Sequence, residues 1–134
     1  MSRHRGKRQR YGHRAVLRIL GYNSYTEYLN GSIWSTIRQH VLTKHPDCYA
    51  CSKTATQVHH TTYSPAVLSG ESHRGLLSLC WSCHELAHRS GRGRKRPGPA
   101  ASKWLRRRRQ ETLNYERKHQ DLDDAAVLKA ATEP

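Results

Sequence analysis

Residues 76–88 read Leu-Leu-Ser-Leu-Cys-Trp-Ser-Cys-His-Glu-Leu-Ala-His, and this stretch decides the fold. The apolar run from Leu76 to Leu79 predicts a short β-strand. The Cys-x-x-Cys pair that follows predicts a tight knuckle that aims two thiolates at one metal ion. His84 and His88 are four positions apart, so in a helix both project from the same face. The stretch therefore predicts a strand, a knuckle and a helix bearing two imidazoles.

A second Cys-x-x-Cys pair lies upstream, and two such knuckles complete a tetrahedral Cys₄ zinc site. A disulfide framework is the alternative, but it needs an oxidising compartment and nothing in the sequence indicates export. We therefore expect a cytoplasmic protein with a structural Zn²⁺, whose binding, of order 10 kcal/mol, would supply much of the folding free energy. The four cysteines are Cys48, Cys51, Cys80 and Cys83.

Two adjacent histidines lie between the knuckles, at the end of a stretch from Ala55 to His60 that we interpret as a strand. If His59 faces the two helical histidines, the three imidazoles can hold one divalent ion, with Mg²⁺, Mn²⁺, Ni²⁺ and Zn²⁺ all open. His60 is then left to accept a proton from water, since a neutral imidazole can do so at neutral pH. The alternative for His60 is a hydrogen-bonded structural histidine.

These residues together resemble the HNH endonuclease family in its zinc-knuckle form, over residues 22–88. The resemblance implies a small α+β fold with a ββα-metal (HNH, or His-Me finger) core, in which a hairpin and a helix hold one catalytic divalent ion. It also implies hydrolysis of phosphodiester bonds in DNA, with His59, His84 and His88 on the metal and His60 as general base. The motif runs Cys48-x-x-Cys51 … Val58-His59-His60-Thr61-Thr62-Tyr63 … Leu76-x-x-Leu79-Cys80-x-x-Cys83-His84-x-x-x-His88.

One position departs from the family pattern. Many members have Asn or Asp just before the Leu-x-x-Leu-Cys run, where the side chain ties the hairpin loop, orients the base or binds metal. The residue here is Gly75, which has no side chain for any of these roles. Glu71, Ser72 or His73 of the same loop are the candidates to replace it.

The chain carries 24 Lys+Arg against 10 Asp+Glu, for a formal net charge of +14. Residues 1–18 and 89–109 contain no acid, whereas bases and acids balance over residues 19–88. Two acid-free flanks predict a polyanionic partner, DNA or the chemically similar RNA. No stretch approaches the ~20 apolar residues of a membrane span, so we expect no membrane partner. The oligomeric state is not determined by the sequence.

The flanks should bind phosphate through guanidinium and ammonium groups, which position a nucleic acid without reading its sequence. Trp104, just before the arginine run, is expected to pack on the domain rather than to stack on a base. The predicted phosphate-binding residues are Arg92, Arg94, Lys95, Arg96, Arg106, Arg107, Arg108 and Arg109.

Composition and the positions of Gly and Pro predict four segments: a basic flexible arm (1–21), the nuclease domain (22–90), a basic Gly/Pro linker (91–102) and a helical tail (103–134). Within the domain, we expect Ser24 to cap a short helix through Leu29 and Ser32 to cap a helix to about Lys44. Residues 64–75 are expected to form a loop. In the tail, caps at Ser102 and Asp121 would start helices over 103–119 and 122–131.

Two other functions fit parts of the sequence. His84-Glu85-Leu86-Ala87-His88 matches the His-Glu-x-x-His pattern of zinc proteases, with Glu85 as base. A protease needs a third ligand, and His119 is the only histidine downstream, across the linker. The second alternative is a non-catalytic, zinc-stabilised nucleic-acid-binding module, for which the knuckles and basic flanks suffice.

Overall fold

The computed structural model describes residues 12–132, an α+β arrangement with a two-stranded antiparallel sheet. Strands β1 (Gln57–His60) and β2 (Leu76–Leu79) pair so that His60 lies opposite Leu76. Helix α5 (Trp81–His88) follows β2 directly, and the Cys80 sulfur caps it by accepting the backbone N–H of Cys83. The second strand and this helix confirm the prediction, whereas β1 starts two residues later than expected.

Four helices build a first core around the hairpin: α1 (His13–Ile19), α2 (Tyr25–Leu29), α3 (Ser32–Lys44) and α4 (Pro65–Ser69). The predicted apolar face of α3 is confirmed, because Trp34, Ile37 and Val41 are buried. The buried Tyr28 hydroxyl ties α2 to α4 by donating to the carbonyl of Leu68 at 2.8 Å. We call this set the aromatic core: Val16, Leu17, Tyr28, Trp34, Ile37, Val41, Val58, Val67, Leu68 and Leu76.

Helix α1 differs from the predicted flexible arm over residues 1–21. Val16 and Leu17 are only 6% and 1% exposed, because both side chains pack into the aromatic core. The largely apolar run over residues 15–20 is too short to reveal a helical period in a sequence otherwise rich in arginine. Residues 1–11 of the predicted arm lie outside the described residues.

Local capping explains the other short helices. The Ser24 hydroxyl accepts the backbone N–H of Glu27, so the predicted cap of α2 is confirmed. The N-cap of α3 is Gly31 rather than Ser32, which is the first helical residue. Helix α4 occupies part of the predicted loop 64–75, because Ser64 caps it, Pro65 starts it and Val67 is buried.

A second core joins the cysteine region to a long C-terminal helix, α6 (Gly98–Thr132). Ala101 and Leu105 of α6 are buried against it. We call this set the cysteine-side core: Cys48, Ala50, Leu79, Cys83, Ala87, Ala101 and Leu105.

Helix α6 is continuous, whereas the sequence predicted a linker over 91–102 and separate helices over 103–119 and 122–131. The helix starts earlier because Pro99 is tolerated in a first turn and the alanines that follow favour helix. It passes the predicted break because residues 103–132 contain no Gly or Pro. A hydrogen bond from Gln120 to Asp124, 2.9 Å long, spans the expected boundary at Asp121.

Most residues of α6 beyond Leu105 are exposed to solvent. In the part of the chain that the structure describes, no helix has the length and apolar character needed to cross a membrane.

Replacing Leu105 by alanine should lower the free energy of unfolding by about 2–5 kcal/mol, because the side chain is fully buried and its removal leaves a cavity. Urea unfolding followed by circular dichroism measures the loss. Leu122→Ala is the control on the same helix, since Leu122 is 59% exposed and its change should stay within about 0.5 kcal/mol. Equal unfolding midpoints for the two variants would contradict the docking of α6 on the cysteine-side core.

Candidate metal centres

The four cysteine sulfurs converge on one point. The Sγ atoms of Cys48, Cys51, Cys80 and Cys83 all lie within 4.8 Å of one another, and those of Cys51 and Cys80 are 3.6 Å apart. Tetrahedral zinc–thiolate bonds of ~2.3 Å would place sulfurs roughly 3.8 Å apart, so the cluster has the size of a Cys₄ zinc site. All four cysteines are free thiols, not disulfides. The cluster could hold a structural zinc ion, as the spacing predicted.

Backbone hydrogen bonds shape the first knuckle. The N–H of Cys48 donates to the carbonyl of Lys53 at 2.6 Å, and Ser52 takes a left-handed conformation (φ 66°) to close the turn. The N–H of Tyr49 donates to the backbone carbonyl of Ser78 in β2 at 2.8 Å, which attaches the knuckle to the hairpin. Burial opposes ionisation of the Cys48 thiol, but backbone N–H donors outweigh it and lower the pKa of this thiol. At Cys48 this favours the thiolate, the form that binds zinc, whereas burial raises the pKa of the Cys51 and Cys83 thiols.

Three imidazoles form a second cluster beside the hairpin. Ring nitrogens of His59 on β1 and of His84 and His88 on α5 lie within 4.8 Å of one another. The Nε2 atoms of His84 and His88 are 3.1 Å apart, as expected for side chains one helical turn apart. The His59 ring centroid lies 4.9 Å from that of His88 and 5.6 Å from that of His84. The structure therefore brings together the three predicted ligands of the second metal.

The electrostatics of this cluster suit a metal site. Burial, and secondarily the neighbouring imidazoles, lower the pKa of His59 to about 4, and burial also lowers the pKa of His84. Both rings are then neutral at pH 7, with lone pairs available to a cation. Among the described residues, the cluster includes no carboxylate. An all-imidazole donor set suits Zn²⁺ or Ni²⁺ better than Mg²⁺, which prefers oxygen.

The fourth predicted site residue, His60, lies on the opposite face of β1 and is 6% exposed. Its ring stacks between Trp34 and Tyr63, with centroids 4.4 Å and 5.2 Å away. Its Nδ1 atom lies 3.0 Å from the Tyr25 hydroxyl oxygen, whereas its Nε2 atom is buried without a hydrogen-bond partner among residues 12–132. Burial lowers the pKa of His60 to about 4, so this ring is also neutral at pH 7.

One cavity of about 320 Å³ connects the two environments. Its lining includes the three clustered histidines, His60 and the half-buried Arg38, whose guanidinium also donates to the carbonyl of Thr56. Arg38, Tyr25 and Tyr63 were missed as site residues by sequence reasoning. No local motif marks them, because their partners are distant in the sequence. Tyr25 precedes His60 by 35 residues, and Arg38 precedes Thr56 by 18 residues.

An Asn or Asp side chain at the position of Gly75 would be strained. It has φ +85°, and an added Cβ would lie 2.6 Å from Thr61 Oγ1 and 2.9 Å from Thr62 Cγ2. Its carbonyl instead accepts the backbone N–H of Thr61 at 2.9 Å and the Thr61 hydroxyl at 2.7 Å. The backbone therefore ties the hairpin loop. The suggested substitutes do not line the histidine cavity: Glu71, Ser72 and His73.

The predicted phosphate-binding residues divide into three groups. The Arg96 side chain donates a hydrogen bond to the carbonyl of Leu86, and its guanidinium lies over the Trp104 ring. The Arg109 side chain donates to the carbonyl of Tyr49, and its guanidinium lies over the ring of the same tyrosine. These two arginines therefore stabilise the fold. Arg108 forms an exposed ion pair with Glu111 at 3.8 Å. Side chains without a hydrogen-bond or ion-pair partner in the described range are those of Arg92, Arg94, Lys95, Arg106 and Arg107.

The residues of the protease alternative are not assembled. Glu85 is exposed and lies outside the histidine cluster. His119 is exposed on α6, where its Nδ1 lies 3.0 Å from the carbonyl oxygen of Tyr115.

No protein-family model matches this chain, and neither a curated protein nor a solved structure matches it.

Substituting the ligands of each cluster in turn should distinguish the roles of the two candidate metal sites. The Cys48→Ser/Cys51→Ser variant should lose cooperative unfolding, because thiolate–zinc bonds of order 10 kcal/mol stabilise a small core. The His84→Ala/His88→Ala variant should stay folded and bind one metal equivalent fewer than wild type. Elemental analysis of zinc-loaded protein and thermal unfolding measure both quantities. Unchanged unfolding of wild type after exhaustive chelation would contradict the structural role of the cysteine cluster.

Proposed function

We propose that the chain is a metal-dependent endonuclease of the HNH type, with β1, β2 and α5 as its ββα-metal core. One observation carries the proposal: the hairpin and helix bring three imidazoles together, and His60 lines the same cavity. A zinc ribbon that only binds nucleic acid has no use for a second, all-histidine cluster. The proposed reaction is hydrolysis of phosphodiester bonds in DNA.

His59, His84 and His88 are the residues that would hold the catalytic ion. A divalent cation bound there would supply Lewis-acid stabilisation of the negative charge that develops on the phosphate and the leaving oxygen. The protein's own contribution is a preorganised set of imidazole donors, one buried and two half-buried, which need no large rearrangement to accept the cation.

His60 is the proposed general base. Only the tautomer with the proton on Nδ1, donated to the Tyr25 oxygen 3.0 Å away, leaves Nε2 free to take a proton. Burial raises the pKa of the Tyr25 hydroxyl well above its usual value, so this partner stays uncharged. A phosphodiester anion in the cavity would favour the imidazolium and raise the low pKa of His60 toward the working pH.

The surrounding side chains orient the base and the substrate. Trp34 and Tyr63 stack on the two sides of the His60 ring and restrict its rotation. Arg38 contributes a permanent positive charge to the cavity lining, where a guanidinium can donate two hydrogen bonds to a phosphate. We assign general phosphate binding to the five unpartnered basic residues rather than to Arg96 and Arg109.

A non-catalytic nucleic-acid-binding module is the second candidate. The observation that favours it is the environment of His60, which is 94% buried, stacked and next to a tyrosine hydroxyl, as a structural histidine would be. Catalysis by the wild type, or its absence, separates the two candidates.

Wild-type protein should cleave plasmid DNA in at least one of Mg²⁺, Mn²⁺, Ni²⁺ or Zn²⁺, and His60→Ala should lower the rate by about 10²–10⁴-fold because the proton acceptor is lost. Gel electrophoresis of the plasmid measures both. Glu85→Gln is the matched control: it should cleave like wild type, whereas a protease would depend on Glu85. Absence of cleavage by wild type with all four metals would contradict the endonuclease and favour the non-catalytic nucleic-acid-binding module.

Replacing Tyr25 by phenylalanine removes the hydroxyl beside His60 and should slow cleavage by about fivefold, the worth of one hydrogen bond of ~1 kcal/mol. The ¹⁵N shifts of the His60 ring should show a mixture of tautomers in place of one. Tyr115→Phe is the control, since Tyr115 is 63% exposed on α6. A wild-type tautomer and rate in Tyr25→Phe would show that Tyr25 does not position the base.

A further inference from the structure

A second pocket adjoins the histidine cavity on the side of α1. Its lining includes His13, Arg14 and Arg18 of α1, with Leu17 also contributing. Tyr25 lines both this pocket and the histidine cavity, so one side chain forms their common wall. We call this pocket the α1 groove.

Among residues 12–132, the two arginines of the α1 groove have no acidic partner. Arg14 and Arg18 are exposed, and within residues 12–132 neither forms an ion pair or a side-chain hydrogen bond. They are one helical turn apart, a spacing at which like charges destabilise a helix. The carboxylate of Glu27 accepts the backbone N–H of Asn23 at 2.8 Å and does not line the groove. An anion bound between the arginines would relieve this repulsion.

Aromatic contacts connect the groove to the proposed base. The ring of Tyr63 lies 5.5 Å from that of His13 and 5.2 Å from that of His60, and Tyr63 is 42% exposed. The groove and His60 are thus separated by a single side chain. Along one nucleic-acid strand the charges recur every ~3.4 Å of helix axis, so the next few phosphates of a bound strand would reach the groove.

We propose that the α1 groove is a phosphate-binding subsite, in which Arg14 and Arg18 hold the phosphodiester backbone of the nucleic-acid strand that passes the histidine cavity. This proposal rests on the proposed function for the identity of the strand, but not on cleavage. It makes α1 a wall of the substrate path, and it gives two arginines of the basic N-terminal flank a defined place beside the histidine cavity. Guanidinium groups suit the task because they donate paired hydrogen bonds to phosphate oxygens.

The test measures binding without cleavage. Full-length His60→Ala protein, loaded with zinc, is titrated against a fluorescein-labelled DNA duplex of about two helical turns over a range of salt concentrations. Fluorescence anisotropy gives the slope of log K against log salt. Adding Arg14→Gln/Arg18→Gln should make this slope shallower by about 1.8, because each lost phosphate contact removes ~0.9.

Two further variants make the result specific. Arg117→Gln/Lys118→Gln removes the same charge from the exposed half of α6 and should leave the slope within about 0.5 of the parent. Arg14→Lys/Arg18→Lys keeps the charge and should restore the parental slope. Circular dichroism checks that each variant is folded.

The outcomes separate this proposal from the proposed function. A parental slope in Arg14→Gln/Arg18→Gln, or an equal loss in the α6 control, overturns the α1 groove as a phosphate site. A shallower slope in Arg14→Gln/Arg18→Gln alone supports it, even where wild-type protein cleaves no plasmid. Absence of any duplex binding by the His60→Ala parent overturns both proposals together.

Discussion

The convergence of four cysteine sulfurs is the constraint on which the rest of the structure depends. Cys80 directly follows β2 and caps α5, so the same residue joins the cysteine cluster, the hairpin and the helix. From this junction α5 continues with His84 and His88 next to His59. In a chain with only 35% hydrophobic residues, apolar burial alone is a weak source of such a rigid connection.

The packing of helix α6 on the cysteine-side core gives its arginines different contacts. Packing of Leu105 and Ala101 on the cysteine-side core brings the arginine run next to the first knuckle. Arg109 then stacks on Tyr49, while Arg106 and Arg107 face solvent. Successive residues on a helix are rotated by about 100°, so the members of an arginine run meet different surroundings. Charge counted along the sequence therefore overstates the positive surface available to a partner.

The sequence predicted the features that local chemistry determines. The Cys-x-x-Cys pairs, the i,i+4 histidines and the Leu76–Leu79 strand each depend on spacing within a few residues, and each has the expected geometry. The surroundings of His60 were not predictable, since Tyr25 reaches it from 35 residues away through tertiary packing. Helix α1 was missed for a related reason: its two buried residues gain their stability from the aromatic core, not from a pattern of their own.

The adjacent pair His59-His60 shows why one short strand can serve two chemical environments. Successive side chains of a strand point to opposite faces, so His59 faces the imidazole cluster while His60 enters the aromatic stack. Both are buried and neutral, but their neighbours differ: other imidazoles around one, tyrosines and a tryptophan around the other. A metal ligand benefits from several converging lone pairs, whereas a base needs one free nitrogen and a fixed ring. In the proposed enzyme, the alternation of the strand would supply both within two residues, and the cavity lined by His59 and His60 is where the metal and the base would act on one phosphate.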